Sequence, residues 1–96
     1  MKKGYLIGQI TITEPKKYQQ YASETENIIK RFGGRYLIRG GEQIIAEGTP
    51  HGNHDVVVEF DTLEKARQFY ELEQYAKIIN IRKEKSTGYI LMVEGY

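Results

Sequence analysis

The feature that most constrains the fold of this chain is that its extended segments are apolar on both faces. These segments are rich in β-branched and aromatic residues, which favour β-strands, and they lie at residues 5–13, 35–39, 55–60 and 89–94. An antiparallel sheet with one face in water alternates between apolar and polar residues. Here residues 56–58 are three consecutive valines, and residues 90–93 read ILMV. Both faces of the predicted sheet therefore need apolar cover.

Two helical segments stand between these strands. Residues 16–32 repeat aromatic and aliphatic side chains at helical spacing, Pro15 suits the first turn, and a pair of glycines ends the helix. The second helical segment follows the third strand. Its apolar phase slips by five residues between Tyr70 and Tyr75, which predicts a break near residues 71–74 and then a second short helix.

The remaining segments complete a βαββαβ order. Residues 43–47 are predicted to resume an extended conformation after a glycine bend, residues 48–54 to form a polar loop, and residues 86–88 to form the turn into the last strand. This order is that of the ferredoxin-like fold, an α+β architecture with a four-stranded antiparallel sheet and both helices on one face. Because the helices cover one face only, we expect the other face to pair with that of a second copy.

Length and composition are consistent with this expectation. A chain of 96 residues has the size of one domain, so we expect a single domain over residues 1–96. The core of so short a chain is marginally stable, and the absence of cysteine excludes a disulfide. Association with a second subunit is therefore an expected source of stability.

Charge and sequence patterns exclude several classes of partner. With 14 basic and 13 acidic residues the net charge is +1, which gives no long-range field for nucleic acids or anionic membranes. The base-stacking positions of RNA-recognition strands would fall on Leu6, Asp55 and Val57, none of which is aromatic. No stretch approaches about 18 apolar residues and no signal peptide fits the start. We therefore expect a cytoplasmic protein without nucleic-acid or membrane partners.

Several motifs resemble those of a known family. They are GGRYLIRGG at 33–41, EG at 47–48, VVVEF at 56–60, FYELEQY at 69–75, and Arg82. Over nearly the whole chain they resemble the dimeric α/β-barrel family catalogued as domain of unknown function thirteen-thirty. The resemblance implies a ferredoxin-like subunit that pairs through its sheet, one small pocket per subunit, and no established reaction. Related barrels include cofactor-free monooxygenases, small isomerases and ligand-sensing domains, so the fold by itself selects none of these.

The resemblance also marks individual positions. Arg39, Glu47, Tyr75 and Arg82 match the residue types of the family pattern, and Tyr70 stands where the family has an aromatic residue. Three residues depart from the pattern, and these are Glu14, Leu72 and His54.

Two arginines are the candidate ligand-binding cations. The planar guanidinium groups of Arg39 and Arg82 suit a carboxylate or a phosphate, and both would hold an anionic or carbonyl group. Arg82 lies on an inward helical stripe, where an arginine needs a buried partner or an anionic ligand. The alternative for Arg39 is a structural salt bridge with Glu47.

Tyrosines and two titratable groups complete the candidate site. Tyr18, Tyr70 and Tyr75 would form aromatic walls, and the alternative is that they are core residues with their hydroxyl groups at the rim. Glu47 or His54 would transfer protons in a catalytic site.

The HGNH segment raises the question of a metal site, since histidine is a common metal ligand. His51 and His54 lie in a glycine-containing loop and have no evident third ligand. The sequence also lacks a P-loop, a dinucleotide-binding fingerprint and a nucleophile elbow. We therefore expect no metal and no cofactor.

Two functions follow from this reading of the sequence. The first is a homodimeric protein that binds a small anionic or carbonyl compound in one pocket per subunit, either as a cofactor-independent enzyme of monooxygenase or isomerase type or as a metabolite-binding protein. The second is a non-catalytic module that assembles with itself or senses a metabolite. The sequence leaves the choice between catalysis and binding open.

Overall fold

The structure, a computed structural model, describes the backbone of residues 1–96 and the side chains of all of them except Glu73, Gln74, Ile81, Glu84 and Lys85. Along this backbone the elements are β1 (Gly4–Ile12), α1 (Pro15–Arg31), β2 (Arg35–Arg39), β3 (His54–Phe60), α2 (Leu63–Tyr70), α3 (Glu73–Ala76), α4 (Ile79–Lys85) and β4 (Ser86–Glu94). The predicted βαββαβ order is confirmed, with α2, α3 and α4 together forming the second helical segment.

The strands of the described backbone form one four-stranded antiparallel sheet in the order β2-β3-β1-β4. The central strand β1 pairs with β3 through partners such as Ile7 and Val57, and with β4 through Ile7 and Leu91. This order and these antiparallel pairings confirm the predicted ferredoxin-like fold class.

The hydrophobic core lies between the helices and one face of the sheet, called here the covered face. Alternate residues of β1 and β3 are buried on this face, among them Ile10, Val58 and Phe60. The helices contribute their predicted stripes, whose buried members in α1 and α2 are Tyr18, Tyr21, Thr25, Ile28, Ile29, Ala66 and Phe69.

The predicted break in the second helical segment is confirmed. α2 begins after Thr62, whose hydroxyl oxygen accepts a hydrogen bond from the backbone N–H of Lys65 at 3.1 Å, and ends at Tyr70. The short helices α3 and α4 follow, separated by two residues. Because α4 runs directly into β4, residue 82 is brought close to the end of the sheet.

Two predicted local structures are wrong. Residues 43–47 are not a strand, because Gly40 (φ 70°) turns the chain away and β3 begins only at His54, which leaves these residues without a strand to pair with. Residues 86–88 are not a turn but the start of β4, paired with β1 through Ile12 and Ser86. Gly88 makes this pairing possible, since its backbone packs closely on that of Gln9.

The opposite face of the sheet, called here the open face, carries no helix in the described structure. Its middle row crosses all the strands and is apolar, and consists of Ile38, Val57, Ile7 and Leu91. Ile38 and Leu91 remain 46% and 49% exposed. This row is the exposed apolar surface that the two-sided strand pattern predicts.

Polar rows flank the apolar row on both sides. On one side the Tyr5 hydroxyl donates a hydrogen bond to Glu59 at 2.8 Å, and Arg35 forms an ion pair with the same carboxylate. On the other side Asp55 accepts hydrogen bonds from Gln9 at 3.0 Å and from Gln43 at 2.8 Å. The two carboxylates of these rows, Glu59 and Asp55, are therefore hydrogen-bonded within the subunit.

In the part of the chain that the structure describes, no helix has both the length and the apolar composition needed to cross a membrane.

Candidate ligand-binding cavity

A cavity of about 50 Å³ lies between the helices and the covered face of the sheet. Its apolar wall includes Leu6, Val58 and Phe69. Its polar and aromatic groups come from both helical segments and from β2 and β3, and they are Tyr18, Tyr21, Thr25, Tyr36, Arg39, His54, Tyr75 and Arg82. An apolar cavity with a few convergent polar groups is the usual form of a small-molecule site.

Three tyrosine rings lie side by side in the cavity wall. The ring centroids of Tyr18 and Tyr21 are 5.3 Å apart, and those of Tyr21 and Tyr75 are 6.0 Å apart. The hydroxyl oxygens of Tyr21 and Tyr75 are 2.5 Å apart and share a hydrogen bond. Burial raises the pKa of Tyr18 to about 12, and burial also raises the pKa of Tyr21 and of Tyr75. All three phenols therefore keep their protons at neutral pH and can donate hydrogen bonds.

Arg82 is the buried cation of the cavity, as its inward position in the helical stripe predicts. Only 9% of its surface is exposed, which is unusual for arginine. The hydroxyl of Ser86 donates a 2.5 Å hydrogen bond to the Arg82 carbonyl at the junction of α4 and β4. The Tyr75 hydroxyl interacts with the guanidinium group of Arg82. The Nε atom of Arg82 has no hydrogen-bond partner among the described residues.

Arg39 lines the same cavity from the end of β2. Its guanidinium group forms an ion pair with Glu26 of α1 at 3.3 Å, donates to the Ala22 carbonyl at 3.3 Å, and lies over the Tyr36 ring at 4.5 Å from the centroid. The predicted salt bridge with Glu47 is therefore wrong. The strand end brings Arg39 against α1, whereas Glu47 lies in the loop that turns away at Gly40.

His54 lies at the start of β3, on the covered face. Its ring contacts Tyr18 edge to face with centroids 6.0 Å apart. A Cβ atom at position 40 would lie 2.6 Å from the imidazole ring, so a glycine at this position is needed to avoid a clash with His54. Burial lowers the pKa of His54; the nearby Asp55 acts in the opposite direction, and Arg39 adds to the decrease. The imidazole is therefore neutral at pH 7 and can accept a proton.

Two of the predicted site residues do not line the cavity. Glu47 is exposed and borders a surface depression at the open face, together with Gln43 and Asp55. Tyr70 lies outside the cavity, with its ring centroid 5.4 Å from that of Tyr75, and borders a neighbouring surface depression together with Arg82. The structure thus brings together Tyr18, Arg39, His54, Tyr75 and Arg82, and their roles remain predictions.

The two histidines of the HGNH segment lie in different environments. The His51 ring contacts Tyr89 of β4 at a centroid distance of 5.1 Å, whereas His54 contacts Tyr18 of α1. Among the residues that the structure describes, no group of three or more His, Asp or Glu is arranged to hold a metal ion.

The sequence patterns do not mark two of the polar residues that line the cavity, Thr25 and Tyr36, as site residues. Thr25 occupies the inward stripe of α1 between Tyr21 and Ile29, where the helical pattern shows burial but does not distinguish a core residue from a cavity residue. The one signal in the sequence is a threonine within an aromatic and aliphatic stripe, because a buried hydroxyl needs a hydrogen-bond partner. In the structure Thr25 is only 5% exposed.

Solved structures of this fold are known from several organisms. A protein of unknown function from Rhodopseudomonas palustris has 13% sequence identity and a TM-score of 0.77, over 99% of this chain and 83% of that chain. SnoaB, a cofactor-independent oxygenase from Streptomyces nogalater, has 9% identity and a TM-score of 0.72, over 100% and 95%. A conserved protein from Methanosarcina mazei has 12% identity and a TM-score of 0.60, over 100% and 95%. At these identities the similarity shows a shared fold.

The sequence itself identifies the family. No curated protein matches the chain in sequence. The family described as "Domain of unknown function (DUF1330)" matches residues 3–96, which is nearly the whole chain and includes every motif that carried the resemblance. The chain therefore belongs to the DUF1330 family and has the ferredoxin-like fold of the dimeric α/β-barrel proteins.

Proposed function

We propose that this protein is a homodimer, paired through the open face, that binds a small anionic compound in the cavity of each subunit. One observation carries the proposal. The described residues that line the cavity include two arginines and no aspartate or glutamate. A site with this composition attracts negative charge.

The burial of Arg82 strengthens this argument. Removing a guanidinium group from water is costly unless an opposite charge compensates for it. Arg82 forms no ion pair with a described carboxylate, and the tyrosines around it keep their protons at neutral pH. An anion in the cavity would provide the missing charge, and the phenols would provide additional hydrogen bonds.

Ligand-dependent thermal stability tests this proposal. We expect small organic acids to raise the Tm of the wild-type protein by about 5–10 °C at ten times their Kd. Arg82→Met should lose this effect, while its own stability without ligand should be equal or higher, because the substitution removes a buried charge that no described carboxylate compensates. The measurement is differential scanning calorimetry with a panel of small organic acids, inorganic phosphate and neutral amides.

Arg67→Met is the matched control. Arg67 is an exposed residue of α2 that pairs with Glu71 at 3.1 Å, so its replacement should leave the ligand-induced shift unchanged. Equal shifts in wild-type protein and Arg82→Met would refute anion binding by Arg82.

A second candidate function is a cofactor-independent enzyme. The observation that favours it is a neutral imidazole, that of His54, in the same cavity as the arginines. SnoaB, which shares the fold, is a cofactor-independent oxygenase. In such an enzyme His54 would remove a proton from a carbon activated by a neighbouring carbonyl or carboxylate group, while the arginines would stabilise the resulting negative charge.

The pH dependence of proton exchange tests this second function. With small oxo acids in deuterated buffer, we expect the rate of deuterium uptake next to the carbonyl to rise with pH through a midpoint below 6.5, because burial lowers the pKa of His54 and only the neutral ring accepts a proton. NMR spectroscopy measures the exchange. His54→Gln should abolish it and His51→Gln should retain it. Exchange that persists unchanged in His54→Gln would exclude His54 as the base.

A further inference from the structure

Two buried polar atoms of cavity residues lack hydrogen-bond partners among the described residues. They are Oγ1 of Thr25, in α1, and Nε of Arg82, in α4. Each residue has more than nine-tenths of its surface buried, with 5% and 9% exposed. Unsatisfied buried polar atoms are rare in native proteins, because each loses its hydrogen bonds to water without replacement. Two of them on the walls of one small cavity indicate that a ligand supplies their partners.

The charges around the cavity set the charge of this ligand. The cationic group of Arg39 is compensated by Glu26, at 3.3 Å. Among the described side chains no carboxylate forms an ion pair with Arg82, so within the described part of the cavity one positive charge has no counter-charge. A monoanion balances this charge. Inorganic phosphate carries up to two negative charges at neutral pH, and the second would be buried without compensation.

The available donors suit a planar anion. The guanidinium Nε and an adjacent terminal nitrogen form one edge of a planar group, and such an edge binds both oxygens of a carboxylate. The Thr25 hydroxyl is available to donate one further hydrogen bond, and the protonated phenols of Tyr18, Tyr21 and Tyr75 surround the same space.

The size and the lining of the cavity limit the rest of the molecule. A volume of about 50 Å³ limits the ligand to a few non-hydrogen atoms, since an apolar cavity of about 150 Å³ holds one benzene molecule. Beyond the polar groups the wall is apolar, with residues such as Leu6, Ile10 and Val58. A short hydrocarbon chain matches this wall, because it needs no hydrogen bonds.

We propose that the cavity binds a short-chain monocarboxylate, with the carboxylate held by Arg82 and Thr25 and the hydrocarbon chain against the sheet. This inference rests on the proposed function and specifies the chemical class of its ligand. It also assigns a binding role to Thr25, which the motifs of the sequence do not mark.

Isothermal titration calorimetry with propionate tests the inference, since propionate has the expected charge and size. We expect a Kd in the millimolar range or somewhat tighter, as so small a ligand makes few contacts. Propionamide has the same shape without the charge, and we expect it to bind at least about tenfold more weakly. Thr25→Val should weaken propionate binding by about five- to twentyfold. Thr25→Ser keeps the hydroxyl and should stay within about threefold of wild type.

The stability of the ligand-free variants separates a binding role of Thr25 from a structural one. If the hydroxyl has no partner in the protein, Thr25→Val should raise the Tm of the ligand-free protein, because it replaces an unsatisfied buried group with a methyl group. A lower Tm in Thr25→Val, or unchanged propionate affinity, would overturn the inference.

The remaining outcomes distinguish the inference from the proposed function. If phosphate binds in an Arg82-dependent manner and propionate does not, the monocarboxylate inference is overturned and anion binding in the cavity stands. If propionamide binds as tightly as propionate, the carboxylate assignment is overturned. If neither propionate, phosphate nor the other acids of the panel bind, both the inference and the proposed function fail.

Discussion

Replacing Ile7 with aspartate is expected to dissociate the proposed homodimer and leave a folded monomer at micromolar concentration. Ile7 lies on the central strand β1, in the middle of the apolar row of the open face, between Val57 and Leu91. Pairing of two open faces would bury a carboxylate at this position without a partner. We expect the Kd of the dimer to rise by about 100-fold or more, as is usual when a central interface residue is disrupted. Analytical ultracentrifugation measures the change.

Two controls make this result specific. Gln20→Asp introduces the same side chain on the exposed surface of α1 and should leave the dimer intact. Leu91→Lys tests the same row from the edge strand β4, where the side chain is 49% exposed and the core is not involved. This second variant keeps the test valid if Ile7→Asp fails to fold. A dimer that persists in both open-face variants would exclude this face as the interface, and a wild-type monomer at micromolar concentration would exclude the dimer.

The arrangement of polar groups on the open face supports pairing with a second copy. Glu59 is already bonded to Tyr5 and Arg35, and Asp55 to Gln9 and Gln43. A hydrogen bond from Tyr5 lowers the pKa of Glu59, and hydrogen bonds from Gln9 and Gln43 lower that of Asp55. Both carboxylates therefore have partners within the subunit. A second subunit needs to supply only apolar cover for the row between them, and an identical row supplies it.

The sequence predicts this fold well because its apolar residues repeat at the spacings of helices and strands. The helical stripe of residues 16–32 and the slip in phase after Tyr70 correspond to α1 and to the break before α3. The strand predictions were wrong where a glycine interrupts the alternation of apolar and polar residues. Residues 86–88 include Gly88, which resembles a turn residue in sequence but is needed here for close strand pairing.

The site was only partly predictable, for a related reason. Arg82 was found because a charged residue in an apolar stripe violates the pattern of its own helix. The partner of Arg39 depends on how the end of β2 meets α1, and local periodicity does not describe that contact. Glu47 was placed in the site by resemblance, and it lies elsewhere because a loop without regular structure determines its position.

Replacing Gly88 with alanine is expected to lower the free energy of unfolding by about 3–5 kcal/mol, a large part of the stability of a domain of this size. Gly88 has a φ of 129°, which side-chain-bearing residues rarely adopt. A Cβ atom there would lie 2.2 Å from the backbone carbonyl oxygen of Gln9, and backbone atoms have little freedom to move away. Urea denaturation measures the change.

The consequence of Gly88→Ala should extend to the cavity, because β4 starts directly after the helix that carries Arg82. Displacing the start of β4 from β1 shifts Ser86 and, through its hydrogen bond to the Arg82 carbonyl, the end of α4. We therefore expect Gly88→Ala to weaken propionate binding even under conditions in which the variant is fully folded. Gly41→Ala is the matched control, since a Cβ atom there meets no described atom within 4 Å, and its stability should change by less than about 1 kcal/mol. Equal stability of the two variants would show that close packing of β4 on β1 at Gly88 is not required. Normal propionate binding by a destabilised Gly88→Ala would show that the position of Arg82 does not depend on the pairing of these strands.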